Sequence, residues 1–192
     1  PPRSSAPRRR RAPAGSTPLG KAKEAVRAGA DPQKLSALMQ QVRTDYPMSA
    51  LFLGNVGGSL GEVSALALLL GGLFLLWRRV ITWHVPVAFV LTTAAITGAA
   101  WLVNPDVYVS PLYHVLSGGL MLGALFMATD MVTSPVSPGG MIVFGAGCGL
   151  ITAVIRLWGA YPEGVSFAIL VMNGFVPLID KYVRPRKFGA GR

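Results

Sequence analysis

The residues that could do chemistry are few and scattered. The chain holds eight Asp/Glu, two His and one Cys in 192 residues. Glu62 is the most pointed of the carboxylates. It follows a glycine-rich loop, Gly54-Asn55-Val56-Gly57-Gly58, and opens a long apolar run. Ser59-Leu60-Gly61-Glu62 fits a capping box, Ser59 at the N-cap and Glu62 at the third helical position. An ionisable group at the mouth of an apolar helix is costly to bury, and it also reads as part of an ion or proton path. Asp130 follows Thr129 at an expected helix C-terminus, where the macrodipole disfavours an anion. That misplacement points to a cation contact, against the plainer reading of a solvated loop carboxylate. Asp180 precedes Lys181 and reads as a surface pair. His84 and His114, thirty residues apart, fall on opposite sides of the expected membrane and cannot share a metal. Cys148 lies alone in an apolar run, so it forms no internal disulfide and no metal cluster. A nucleotide-binding glycine pattern, a CxxC pair and a Ser/His/Asp set are all missing. The sequence therefore offers no self-contained catalytic site and no metal site. Thr17, in Gly15-Ser16-Thr17-Pro18, reads by itself as an N-cap ahead of a short helix.

The elements that must position these residues are membrane helices. The chain is 52% hydrophobic and only 14% charged, with a mean hydropathy of +0.49. A soluble domain carries roughly 25% charged residues. The net charge of +10 describes two ends and not a nucleic-acid-binding face, because ten of the eighteen Lys/Arg lie in 1–43 and five more in 181–192. Leu51–Arg79 organises the rest. Its apolar part, Gly57–Trp77, is 21 residues long, about what a helix needs to cross ~30 Å of hydrocarbon. Arg78 and Arg79 close it at the water boundary.

The chain reads as all-α and polytopic, with five transmembrane helices after an extramembrane arm. Residues 1–16 form a basic, Pro/Arg-rich arm expected to be disordered; Arg8–Arg11 reads as a solvated tail or, more sharply, as a contact for anionic headgroups. Residues 17–50 form an extramembrane segment with two short helices, Pro18–Ala28 and Asp31–Arg43. The membrane domain is 51–183 and the basic tail is 184–192. After Gly57–Trp77, the expected spans are Val85–Val103, Leu112–Ala128, Met141–Leu157 and a short, interrupted Val165–Ile179 containing Asn173-Gly174 and Pro177. Trp77, Trp83 and Trp101 sit where interfacial anchors belong. Ser117-Gly118-Gly119, Gly123 and Ala124 form one small-residue face for close helix packing; Gly145, Gly147 and Gly149 form another. The positive-inside rule puts Arg78–Trp83, Thr129–Gly140 and 181–192 in the cytoplasm, and the arm, the Asn104–Pro111 loop and the Tyr161–Gly164 turn outside. No signal peptide is recognisable, and the missing initial Met reads as a fragment or a processed chain.

Several stretches resemble a known family. They are GSTPL at Gly15–Leu19, LFLGNVGGSLGEVSALALLLGGLFLL at Leu51–Leu76, LSGGLMLGALFMATDMVTSP at Leu116–Pro135, RLWGAYPEGVSFAILVMN at Arg156–Asn173 and VPLIDKYVRPRKFG at Val176–Gly189. In order and content they resemble the D subunits of the Rnf (Rsx) electron-transport complex (RnfD), relatives of the B subunits of the sodium-pumping NADH:quinone oxidoreductase. Residues 1–14 do not share the likeness. The chain looks like the second of two related five-helix halves in a urea-transporter-like inverted-repeat arrangement. The resemblance implies a bacterial inner-membrane component of a redox-driven pump. Electrons would pass between ferredoxin- and NAD-linked partners, coupled to Na⁺ or H⁺ movement.

The resemblance further implies FMN held as a phosphoester on a threonine, which by motif is Thr17, attached by a flavin transferase on the exported side. A phosphoester needs a hydroxyl on an accessible, bendable strand, and Gly15 and Pro18 supply that setting. Lys21, Lys23 and Arg27 follow closely enough to pair with its phosphate. The family pattern places Asp six residues earlier and Ser/Thr-Gly-Ala before the threonine. Here Arg11, Ala14 and Ser16 depart from it. A second, noncovalent flavin, riboflavin, is left open, and with it a flavin contact at Asp130. The implied partners are the other subunits of the complex, the transferase and the lipid bilayer, with no nucleic acid. Two other readings stand beside this one: half of a small-solute channel of the same helical architecture, and a structural membrane component without flavin.

Overall fold

A computed structural model of the chain describes residues 48–53, 64–105, 108–117, 119–159 and 164–183. Among the described residues every regular element is helical. They are α1 (Met48–Leu53), α2 (Ala65–Trp77), α3 (His84–Val103), α4 (Pro111–Leu116), α5 (Leu120–Leu122) running into a π turn (Gly123–Met127), α6 (Pro138–Leu157) and α7 (Val165–Tyr182). The arm, the two short helices expected before Met48 and the tail 184–192 lie outside the described residues.

Among the described residues three helices are long and apolar enough to cross a membrane: His84–Val103, Pro138–Leu157 and Val165–Tyr182. They meet three of the five expected spans. The other two differ. The first was expected as one helix from Gly57, but Ser64 is extended (φ −117°, ψ 105°) and its Oγ accepts the Ala67 N–H, so α2 begins at Ala65. Its 13 residues rise only ~20 Å. Within Leu112–Ala128 the helix stops at Leu116 and restarts at Leu120. The far end of α2 is closed by Arg79, whose φ is 56°. Its N–H reaches Leu76 O at 3.0 Å and the Val80 N–H reaches Leu75 O at 2.9 Å. These are the paired bonds of a left-handed helix stop.

α6 starts earlier than expected, because Ser137-Pro138 is an N-cap followed by a first-turn proline. Ser137 Oγ accepts the Gly140 N–H at 3.0 Å and donates to Val183 O at 2.7 Å. α7 runs through Pro177 without ending.

The core is a seam of α3 against α6. A Cβ built on Gly145 would lie 2.7 Å from Val85 O, and one on Gly149 would lie 2.7 Å from Phe89 O. The two contacts advance together along both helices, so α3 and α6 run parallel with backbones almost touching. That approach is what small residues permit in a bilayer. α7 packs antiparallel to α6, with Met172 at Gly147, Ile179 at Gly140 and Val183 at Gly139. Phe89, Phe144 and Cys148 are fully buried at the centre. Outward-facing positions are apolar as well: Leu73, Leu91 and Leu170 are each more than 60% exposed. Three connections meet at one end of the bundle. Thr82 Oγ1 donates to Met141 Sδ at 3.2 Å, the Val136 N–H to Asp180 Oδ1 at 3.3 Å, and Ser137 to Val183.

Candidate functional site

Polar groups gather where α4 stops, at the opposite end of the bundle. Ser117 is extended (φ −102°, ψ 142°), and its N–H turns back to Tyr113 O at 2.9 Å. Stopping a helix leaves the carbonyls of its last turn without intrahelical donors. In hydrocarbon such groups need partners from the protein. Arg156 supplies them from α6. Its Nη1 donates to His114 O and its Nη2 to Ser117 O at 3.4 Å. The guanidinium is a planar fork of donors and spans two carbonyls three residues apart.

Electrostatics reinforce this placement. Arg156 lies in the last turn of α6, and it faces the last turn of α4. Two helix C-termini, each with partial negative charge, therefore converge on one cation. Arg156 is buried, as are His114, Ser117 and Thr152. Thr152 precedes Arg156 by one helical turn, continuing the face that carries Gly145 and Gly149.

Below the break, the chain passes through the π turn, in which the Ala128 N–H reaches Gly123 O at 2.7 Å. Thr129 Oγ1 donates to Leu125 O at 2.8 Å, which supports the widened turn. Gly123 is pressed against Val165 and Ile169 of α7, while Leu125 and Phe126 pack at Gly72 and Gly71 of α2. Small-residue packing at Gly123, Gly145 and Gly149 is thus present. Ser117 and Gly119 serve a different end from the one expected of them, since they flank the place where the helix is interrupted.

The other expected site residues are dispersed. Thr17 and Glu62 lie outside the described residues. Asp130 is exposed. Its Oδ1 accepts the Val132 N–H at 3.4 Å and its Oδ2 accepts the Thr133 hydroxyl at 3.3 Å. It holds the turn that follows the π segment. Asp180, expected as a surface pair with Lys181, accepts the Val136 N–H and so clips the loop before α6. His84 stacks on Trp83 with ring centroids 4.2 Å apart, at the end of the bundle remote from His114. Among the described residues no group of three His, Cys, Asp or Glu could hold a metal.

Arg156 is the functional candidate that motif reading passed over. Its signal is present in the sequence: one cation inside GLITAVIRLWG, an otherwise uncharged run. An ionisable residue at such depth asks for a named partner. The partners here are backbone carbonyls some forty residues away, and no motif records them.

Comparison with known proteins gives the family. Residues 7–189 match the family described as NQR2, RnfD, RnfE. The match begins ahead of Gly15 and takes in residues that had been set outside the resemblance. The D subunit of the ion-translocating oxidoreductase complex of Stutzerimonas stutzeri is 51% identical over 144 residues, 75% of this chain and 41% of the relative. The D subunit of the proton-translocating ferredoxin:NAD(+) oxidoreductase complex of Clostridium ljungdahlii is 47% identical over 143 residues, 74% and 43% of the two chains. The D subunit of the Na(+)-translocating ferredoxin:NAD(+) oxidoreductase complex of Acetobacterium woodii is 50% identical over 137 residues, 71% and 41%. The chain spans less than half the length of each of these relatives. It is a membrane protein and belongs to the NQR2, RnfD, RnfE family.

Proposed function

We propose that this chain is the membrane-embedded part of a D-type component in a redox-driven, ion-translocating complex. In this reading it carries FMN on Thr17 and works beside the other subunits in a bacterial inner membrane. The observation that carries it is the 47–51% identity to D subunits named for ion translocation. The broken helix around Arg156 supports it, because interrupted backbone at membrane depth is tolerated only inside protein or along a polar cavity. The coupled ion is Na⁺ or H⁺. The relatives named for one and for the other are about equally similar to this chain, at 50% and 47%, so identity does not choose between them. Glu62 and Asp130 are the proposed ion-path or flavin-contact carboxylates. The Asp130 oxygens hold one donor each and retain acceptor capacity.

The acceptor chemistry at Thr17 fits FMN: a hydroxyl between Gly15 and Pro18, followed by Lys21, Lys23 and Arg27. Bound there, the flavin would supply one- and two-electron transfer. This chain's own part is to hold its phosphate and to tether it at the membrane surface. In this reading the arm lies outside, where a flavin transferase would act, and the C-terminus in the cytoplasm, as the positive-inside rule favours. The gathering of residues 82, 137 and 183 at one end of the bundle is compatible with that path. A second reading, a membrane component without flavin, is favoured by Arg11, Ala14 and Ser16, which depart from the attachment pattern. In-gel fluorescence of the denatured protein, co-expressed with a flavin transferase, separates the two. A fluorescent band lost in Thr17→Ala supports attachment. A dark band, also dark after Arg11→Asp with Ser16→Ala, supports the flavin-free reading.

A further inference from the structure

The buried hydroxyls of the bundle fall into two kinds. Thr93 Oγ1 donates to Phe89 O at 3.0 Å and lies 3.3 Å from Gly149 O. Thr97 Oγ1 donates to Thr93 O at 2.8 Å. Both are closed within the α3–α6 seam. Thr152 occupies the same helical setting and is equally buried, yet its Oγ1 has no protein partner. Ser117 Oγ, 1% exposed, has none either.

Both unpartnered hydroxyls are tied to Arg156, Ser117 through its carbonyl and Thr152 through its helix. Ser117 is the residue at which α4 stops and whose carbonyl meets Arg156, and Thr152 lies one turn from Arg156 on its face of α6. Buried polar groups without partners are rare in folded proteins. Leaving such a group without a bond is destabilising. A buried hydroxyl normally finds protein or water, and internal water typically bridges several polar groups that have no other partner. A hydroxyl both donates and accepts, which suits a small neutral ligand with the same capacity.

We infer that the α4–α5 break encloses a hydration site, in which ordered water is held by Ser117 Oγ and Thr152 Oγ1 beside the Arg156 guanidinium. The bundle then has two interiors. The seam around Phe89 and Phe144 is dry, and the break around Tyr113, His114 and Ser117 is wet. The site does not depend on whether Thr17 carries flavin.

Radiolytic hydroxyl labelling reads this directly, because radicals generated from a bound water modify the side chains next to it even where bulk solvent does not reach. The sample is the full chain with the rest of its complex in lipid nanodiscs, and the probe is water itself. Tyr113 and His114 are expected to be modified, while Phe89 and Phe144, buried to a similar extent, stay unmodified. Removing both hydroxyls, with Ser117→Ala and Thr152→Val, should reduce the labelling of Tyr113 and His114. Protection of Tyr113 and His114 equal to that of the two phenylalanines overturns the proposal in the unaltered protein, without recourse to the variants. Labelling that the double substitution leaves unchanged overturns the assignment to these hydroxyls.

Discussion

The seam between α3 and α6 and the break between α4 and α5 solve the same problem in opposite ways. Both place polar backbone among buried side chains of an apolar bundle. At the seam every backbone bond stays inside its own helix, and glycines let two continuous helices approach until Gly145 meets Val85 O and Gly149 meets Phe89 O. Dispersion over a long contact is what holds them. At the break the helix gives up its own bonds, and one distant cation replaces them. The first arrangement is local, repetitive and rigid. The second draws on a side chain from a distant helix. A bundle that keeps one of each joins a repeated backbone contact to a long-range side-chain clamp.

Substitutions should separate the two. The largest effect is expected at the seam. Gly145→Leu has no room, since its first carbon would already sit 2.7 Å from a carbonyl oxygen and 3.3 Å from Phe89 N. Backbone cannot step aside as a side chain can. The cost should reach or pass the roughly 3 kcal/mol upper range of overpacked cores, read as loss of the folded, detergent-resistant protein. Gly123→Leu, which meets the Val165 side chain, should cost less. Equal, mild effects at both positions would mean that α3 and α6 do not touch as described.

Arg156→Leu comes next. It strips two carbonyls of their charged donor, a loss of roughly 2–4 kcal/mol. Arg156→Lys should recover only part of this, because an ammonium cannot fork across both carbonyls. Thermal unfolding of the purified chain checks the order wild type, Lys, Leu. A leucine variant as stable as wild type would show that the break does not need its clamp.

The smallest expected effect is at Gly174 on α7, where an added Cβ meets nothing within 4 Å. Gly174→Ala should stabilise by up to about 1 kcal/mol through helix propensity. A loss of stability there would show that this position of α7 is not open as described.

Legibility from the sequence follows the same division. The seam could be read, because Gly145 and Gly149 recur at helical spacing and apolar length marks α3, α6 and α7. The break could not. Ser117-Gly118-Gly119 suits close packing and interruption equally, and what decides is Arg156, some forty residues on. Ser64 was hidden for a related reason: a serine inside an apolar run becomes a helix start only when its hydroxyl accepts the Ala67 N–H. Pro177 was misjudged in the other direction. It removes one backbone donor, but contacts of Met172 with Gly147 and Ile179 with Gly140 flank it on both sides and α7 continues. The family was legible from stretches spread over most of the chain. The loop clip made by Asp180 was not, since Val136 is 44 residues away along the chain.

The proposal that Thr17 carries FMN is met most directly by one measurement. Trypsin should release Ala12–Lys21, the peptide containing Thr17, from protein co-expressed with a flavin transferase. Mass spectrometry should find that peptide carrying FMN through a phosphodiester on Thr17. Finding it wholly unmodified in an assembled, active complex, or finding the flavin on another peptide, would contradict the account.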